Sequence, residues 1–177
     1  MNHDARIAIL ATDGFEQSEL QGPLDGLKEA GFKVDVISLE AGQIRGWKGK
    51  DWGEPVDVDV TLAQADAQAY AALVLPGGVI NPDILRTKPE AVDFVRAFDQ
   101  AGKTLAAICH GPWLLAESGA AKGRKVTSWP SLKTDLQNAG AQWEDSEVVV
   151  DGHIVTSRKP EDIPAFTRAI IEQLSKA

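Results

Sequence analysis

The chain has 177 residues, 44% hydrophobic and 25% charged, with a formal net charge of −8 from 18 basic and 26 acidic side chains. That length suits a single α/β domain (1–177) with a full core, and the acidic balance without any basic run argues against nucleic acid as a main partner. One cysteine, Cys109, excludes an intrachain disulfide framework; no apolar run approaches a membrane span, and MNHDARIAILATDG lacks a signal-peptide pattern, so a cytoplasmic protein without membrane partners is expected.

Arg6–Thr12 is continuously apolar, as in a parallel strand covered on both faces. Asp13-Gly14-Phe15-Glu16 then opens a helix, with Asp13 as N-cap and Glu16 as the acid of a capping box. Glu19 lies one turn further on the same face. Pro23, four residues on, has no N–H for the Glu19 carbonyl, so a kink or restart is expected at Gly22-Pro23. A carboxylate beside such a defect, at the carboxyl edge of the first strand, is well placed for a site. Spacing alone leaves both acids equally readable as solvated helix residues.

Lys33–Leu39 reads as the second strand, after Gly31. Residues 43–59 hold Trp47 and Trp52 among Gly and Lys, then a VDVDV alternation. This predicts a hairpin-like excursion at the sheet edge, its tryptophans either a contact surface or packed. Tyr70–Pro76 is a buried strand ended by Gly77-Gly78, where glycine permits close backbone approach. Asn81-Pro82-Asp83 follows, with an acid at a helix start. Glu90–Gln100 is an amphipathic helix with Val92, Phe94, Val95 and Phe98 inward.

Thr104–Ile108 is a buried strand running into Cys109-His110-Gly111-Pro112 and a helix at Trp113–Ala116. Small residues two positions either side of Cys109, Ala107 and Gly111, meet the steric requirement of a nucleophile elbow. A thiol at a helix N-terminus favours its thiolate, and the His110 N–H is placed to hold an oxyanion. Neighbouring side chains diverge in a sharp turn, so the His110 imidazole is not expected to reach the sulfur well.

Gly123–Thr127 and Val148–Val150 read as further strands, with a helix at Ser131–Ala139 between them. Asp151-Gly152 is a two-residue turn returning through His153–Ser157, with His153 a surface side chain. Pro160–Leu174 closes the chain as a helix. Strands alternating with helices predict an α/β, three-layer, flavodoxin-like sandwich with a mostly parallel sheet. No metal-ligand cluster, GxGxxG or Walker A pattern is present, so no metal or cofactor is expected.

AICHGPWLL (107–115), LPGG (75–78) and VVVDGHIVTSRKPEDIPAF (148–166) resemble the PfpI family of intracellular cysteine proteases and general stress proteins, of the class I glutamine amidotransferase-like superfamily. The likeness runs from Ile7 to Leu174. It implies that Glu19 contacts the cysteine and that Glu16 is a second acid near the pocket. It also makes the Gly78 N–H an oxyanion donor opposite His110. If one extra residue is allowed between Gly78 and Pro82, Asp83 is the acid that orients His110 from a neighbouring subunit, which requires a homo-oligomer. The implied activity is that of a cysteine hydrolase on small carbonyl, acyl or peptide substrates: deglycase, glyoxalase-like or peptidase. The alternative is a redox sensor or chaperone acting through oxidation of Cys109.

Overall fold

The computed structural model describes residues 5–176. The first half comprises β1 (Arg6–Leu10), α1 (Gln17–Glu29), β2 (Lys33–Ser38), the hairpin β3 (Gln43–Lys48) and β4 (Asp51–Asp57), β5 (Val60–Thr61), β6 (Ala72–Leu75) and α2 (Ile80–Leu85). The second comprises α3 (Pro89–Gln100), β7 (Thr104–Ile108), α4 (Trp113–Ser118), β8 (Lys125–Val126), α5 (Lys133–Asn138), β9 (Gln142–Trp143), β10 (Val148–Asp151), β11 (Ile154–Ser157) and α6 (Ile163–Lys176). Seven strands form one sheet in the order β10-β11-β7-β6-β1-β2-β5, parallel except for the antiparallel edge strand β10. This is the mostly parallel, flavodoxin-like α/β sandwich expected.

The period-two alternation of strand side chains divides the core into two layers. Ile7, Ile9, Ala72, Val74, Ala106 and Ile108 face α1 and α6, packing on Leu20, Leu24, Phe166 and Ile170. Their neighbours Ala8, Leu10, Leu73, Leu75, Leu105 and Ala107 face the opposite way, onto Phe94 and Phe98 of α3 and Leu114 and Leu115 of α4. Because both faces are covered, the strands carry no polar alternation and read as unbroken apolar runs.

From β1 the chain moves outward to β2 on one side, then returns to β6 on the other. That reversal opens a crevice at the carboxyl ends of β1 and β6, the place where sheets of this kind bind ligands.

Several local expectations are corrected. No capping box forms: α1 starts at Gln17 with Glu16 at the N-cap and no side-chain cap bond. Asp13 Oδ1 instead accepts the Arg45 N–H at 2.8 Å, and Glu16 Oε1 accepts the Ser18 hydroxyl at 3.2 Å. The helix also runs unbroken through Pro23. Pro23 is buried on the same face as Glu19 and Leu20, and its packing offsets the missing bond.

The hairpin is not at the sheet edge. Its strand β3 pairs with the turn after β1, through Gly14 N–H to Arg45 O (2.9 Å) and Trp47 N–H to Phe15 O (2.7 Å). That turn carried backbone groups needing partners. β8 lies outside the main sheet, paired only with β9. Asp151 pairs with Ile154, so the turn residues are Gly152 and His153. His153 is half-buried rather than free on the surface, because its Nε2 lies 2.8 Å from Asp99 Oδ1.

Candidate active site

Cys109 is the only non-glycine residue with positive φ among the described residues, at 61°. A left-handed conformation costs a side-chain-bearing residue about 1–2 kcal/mol, so the surroundings must hold it. They do so through the backbone. Cys109 N–H donates to Ser157 O at 3.1 Å, Cys109 O accepts from Trp129 N–H at 3.0 Å, and Gly111 N–H returns to Ile108 O at 2.9 Å. A Cβ on Gly111 would collide with Leu75 O and Ile108 O, which is why the flank is small. The elbow expected from the sequence is thus present.

The other two loops meet it from either side. Gly77 presses so closely on the elbow that a Cβ there would lie 2.6 Å from Glu19 Oε1 and 2.7 Å from Cys109 Cβ. Gly78 has φ +75°, and its own Cβ would sit 2.5 Å from Gly14 O. In this arrangement the backbone N–H groups of both Gly78 and His110 point at the Cys109 sulfur. Asn81, which sequence reasoning passed over, fixes the two loops together. It is fully buried, accepts the Thr12 N–H at 2.8 Å, and donates to Pro76 O and Gly77 O at 3.0 and 3.1 Å.

Glu19 is fully buried beneath Cys109. Its Oε1 accepts the Gly77 N–H at 3.1 Å, while Oε2 is buried without a hydrogen bond of ordinary geometry. Burial, reinforced by the Glu16 carboxylate, pushes the Glu19 carboxyl up to about 8. Glu19 therefore carries a proton at neutral pH.

The electrostatics of Cys109 correct the expectation of a thiol acidified by its helix. α4 begins only at Trp113 and is six residues long. Burial pushes the Cys109 thiol up, and a Glu19 carboxylate pushes it further; the N–H groups of Gly78 and His110 pull the other way. Thiol and carboxyl are adjacent in a low-dielectric pocket, so the pair holds at most one negative charge.

His110 does reach its neighbour, contrary to expectation: Nδ1 is 3.2 Å from Sγ. The ring is held edge-on to Trp113 (centroids 5.1 Å apart) and stacked on Trp129 (6.2 Å), with Ser131 Oγ 3.5 Å from Nε2. Burial lowers its pKa, so the imidazole is neutral. Sequence reasoning missed Trp129 and Ser131 because they follow a two-residue strand. Only the return of that short strand to the carboxyl edge brings them to the site.

An open cavity of about 440 Å³ lies over the sulfur, lined by Glu16, Glu19, Gly78, Cys109 and His110, with Trp47, Val79, Ile80, Trp129 and Pro160 around the mouth. Asp83 is exposed on α2 and lies outside this lining. Among the described residues, no group of three or more His, Cys, Asp or Glu side chains is placed to hold a metal ion, and no helix is long and apolar enough to cross a membrane.

Residues 5–173 match the DJ-1/PfpI family, and the chain belongs to it, within the class I glutamine amidotransferase-like superfamily. It is 43% identical over 169 residues to a deglycase of Thermococcus kodakarensis, covering 96% of this chain and 99% of the relative. It is 42% identical over 172 residues to general stress protein 18 of Bacillus subtilis, covering 97% and 98%. Among solved structures it superposes, at TM-score 0.92 and 37% identity, on a two-domain protein of Anabaena variabilis that joins a DJ-1/ThiJ/PfpI-like domain to a ferritin-like one. That match covers 97% of this chain and 48% of the other. The relatives place it among stress-response hydrolases.

Proposed function

We propose that this protein is a cytoplasmic, thiol-dependent hydrolase that removes small α-oxoaldehyde adducts from amines and thiols, with Cys109 as nucleophile. The observation that carries the reading is the elbow itself. A strained cysteine is aimed between two backbone N–H donors, above a buried carboxyl that keeps a proton. The similarity to a deglycase supports the choice of substrate.

In this mechanism the Cys109 thiolate forms a C–S bond at the carbinol carbon of the adduct. The amine or thiol leaves with its bonding pair and takes the proton of Glu19. Gly78 and His110 N–H groups hold the adduct's oxygen. The Glu19 carboxylate then moves a proton from the sulfur-bearing carbon to the adjacent carbonyl carbon, while the carbinol O–H proton passes to the former carbonyl oxygen, leaving an S-(2-hydroxyacyl) enzyme. Water cleaves it, releasing a 2-hydroxy acid and restoring thiol and carboxyl. Atoms and electrons balance within the adduct plus one water.

His110 lies beside the sulfur as the group that takes the proton of this water. Asp83 acts from a neighbouring copy to orient His110 in a homo-oligomer, since no carboxylate of the same chain contacts the imidazole among the described residues. The test is release of amine from methylglyoxal-treated amines and peptides. Wild type should accelerate it and Cys109→Ser should not; equal rates would remove Cys109 from the chemistry.

A second reading rests on the Glu19 Oε2 that lacks a well-formed hydrogen bond. A peroxide-derived sulfenic or sulfinic oxygen on Cys109 gives that proton an acceptor, which suits an oxidation sensor. Intact mass after peroxide, for wild type and Glu19→Gln, tests it. An identical oxidation endpoint in the two argues against it.

A further inference from the structure

The charge pattern of the cavity extends the proposed function to a choice among substrates, and it rests on that reading. Glu19 and His110, as shown above, are both neutral. Apart from the reacting Cys109, Glu16 is then the one lining side chain that bears a charge, and none of the described lining residues is Lys or Arg. Trp47 and Trp129 present indoles at the mouth, with Val79, Ile80 and Pro160 completing an apolar rim. Lys48 faces a neighbouring groove that also touches Glu16, but forms no ion pair with it among the described residues.

Each part has a local cause. β3 shifts register at Gly46, packed against the Phe15 ring, and this shift turns Trp47 toward the mouth. Trp129 is fixed by its N–H on Cys109 O. Glu16 is held by the Ser18 hydroxyl and stands next to Glu19, which feels its charge. An acid in a cavity that indole side chains also line attracts a cation by Coulomb attraction, to which an indole quadrupole can add, and repels a carboxylate.

We propose that Glu16, with Trp47 and Trp129, sets substrate specificity by charge: the cavity selects adducts whose amine or thiol portion carries an ammonium or guanidinium group and rejects those carrying a carboxylate. Binding such a cation also neutralises the acid beside Glu19, so charge selection and the proton state of the pair are linked at one residue.

Two measurements test this, one independent of turnover. In the first, Cys109 is modified by methanethiosulfonates bearing an ammonium, no charge or a sulfonate, each rate divided by that of a small thiol in solution. The thiolate takes the reagent's sulfenyl sulfur and methanesulfinate leaves. The ammonium reagent should react on the order of tenfold faster than the sulfonate. Glu16→Gln should shrink that ratio severalfold, whereas Glu172→Gln, an equal loss of charge on exposed surface late in α6, should leave it unchanged.

In the second, methylglyoxal hemithioacetals of thiocholine, 2-mercaptoethanol and 3-mercaptopropionate are compared as substrates. kcat/KM should fall in that order, and the order should flatten in Glu16→Gln. A ratio near one with the charged reagents, or a ratio that Glu16→Gln and Glu172→Gln reduce equally, overturns the inference. Turnover of the neutral adduct without any charge order does the same and leaves the proposed function standing. Charge-ordered modification of Cys109 with no turnover of any adduct refutes the proposed function and leaves the selectivity of the cavity intact.

Discussion

Glu19→Gln separates the proton held by the site from the space it fills. The amide oxygen can still accept the Gly77 N–H, as Oε1 does at 3.1 Å, and the amide nitrogen replaces Oε2 beside the sulfur. The fold should therefore survive, while the group can no longer give up and recover a proton.

The magnitude follows from linkage. Glu19 has an ordinary value of 4.5 and is raised to about 8 in the folded protein. Between those values the folded state holds a proton that the unfolded state has lost, so unfolding free energy falls as pH rises. At about 1.4 kcal/mol for each pH step, the wild type loses on the order of 5 kcal/mol across the window, and the glutamine variant loses none of it through this group.

Denaturant unfolding of both proteins from about pH 5 to about pH 8 should show the variant gaining steadily on the wild type. Turnover should fall by roughly 10²–10⁴, the usual share of a general acid–base. The alkylation inflection of Cys109 should move down, because the carboxylate that pushed it up is gone. Parallel stability curves together with undiminished turnover would refute the reasoning.

Gly78→Ala forces a Cβ into a φ of +75° and to 2.5 Å from Gly14 O; chemical denaturation should show a loss on the order of 2–4 kcal/mol, and adduct turnover should fall with the displaced N–H. Asn81→Ala leaves the Thr12 N–H and the Pro76 and Gly77 carbonyls without their buried partner, and a loss of about 3 kcal/mol is expected in equilibrium unfolding. Glu16→Gln should change stability by less than about 0.5 kcal/mol in thermal melts, because no cap bond is lost. Sedimentation at micromolar concentration should show a dimer or larger assembly, and Asp83→Ala should slow turnover without changing Cys109 alkylation by a neutral reagent; a wild type that sediments only as monomer would remove Asp83 from the site.

The division between what the sequence revealed and what it hid follows the range of the interactions involved. Ile7–Leu10, Ala72–Leu75 and Thr104–Ile108 are legible because a strand buried on both faces has to be apolar throughout, a property each segment carries alone. The elbow is legible for the same reason. Its small flank at Gly111 answers a clash with the chain's own turn at Ile108 O and with Leu75 O of the neighbouring strand β6.

Glu16 misled because a capping box is a local pattern, whereas the actual partners of that turn, Arg45 and Trp47, arrive from a hairpin about thirty residues away in sequence. Asn81 and Trp129 left no pattern at all, since each acts through bonds to loops that only the folded sheet brings together. The same holds for the charge state of the pair. Helix-dipole reasoning made Cys109 acidic from its neighbours in sequence, but the deciding terms are burial and a carboxyl ninety residues earlier in the chain. The proton balance of the pair therefore rests on the burial of Glu19 and on the charge of Glu16 beside it, an acid at the cavity wall.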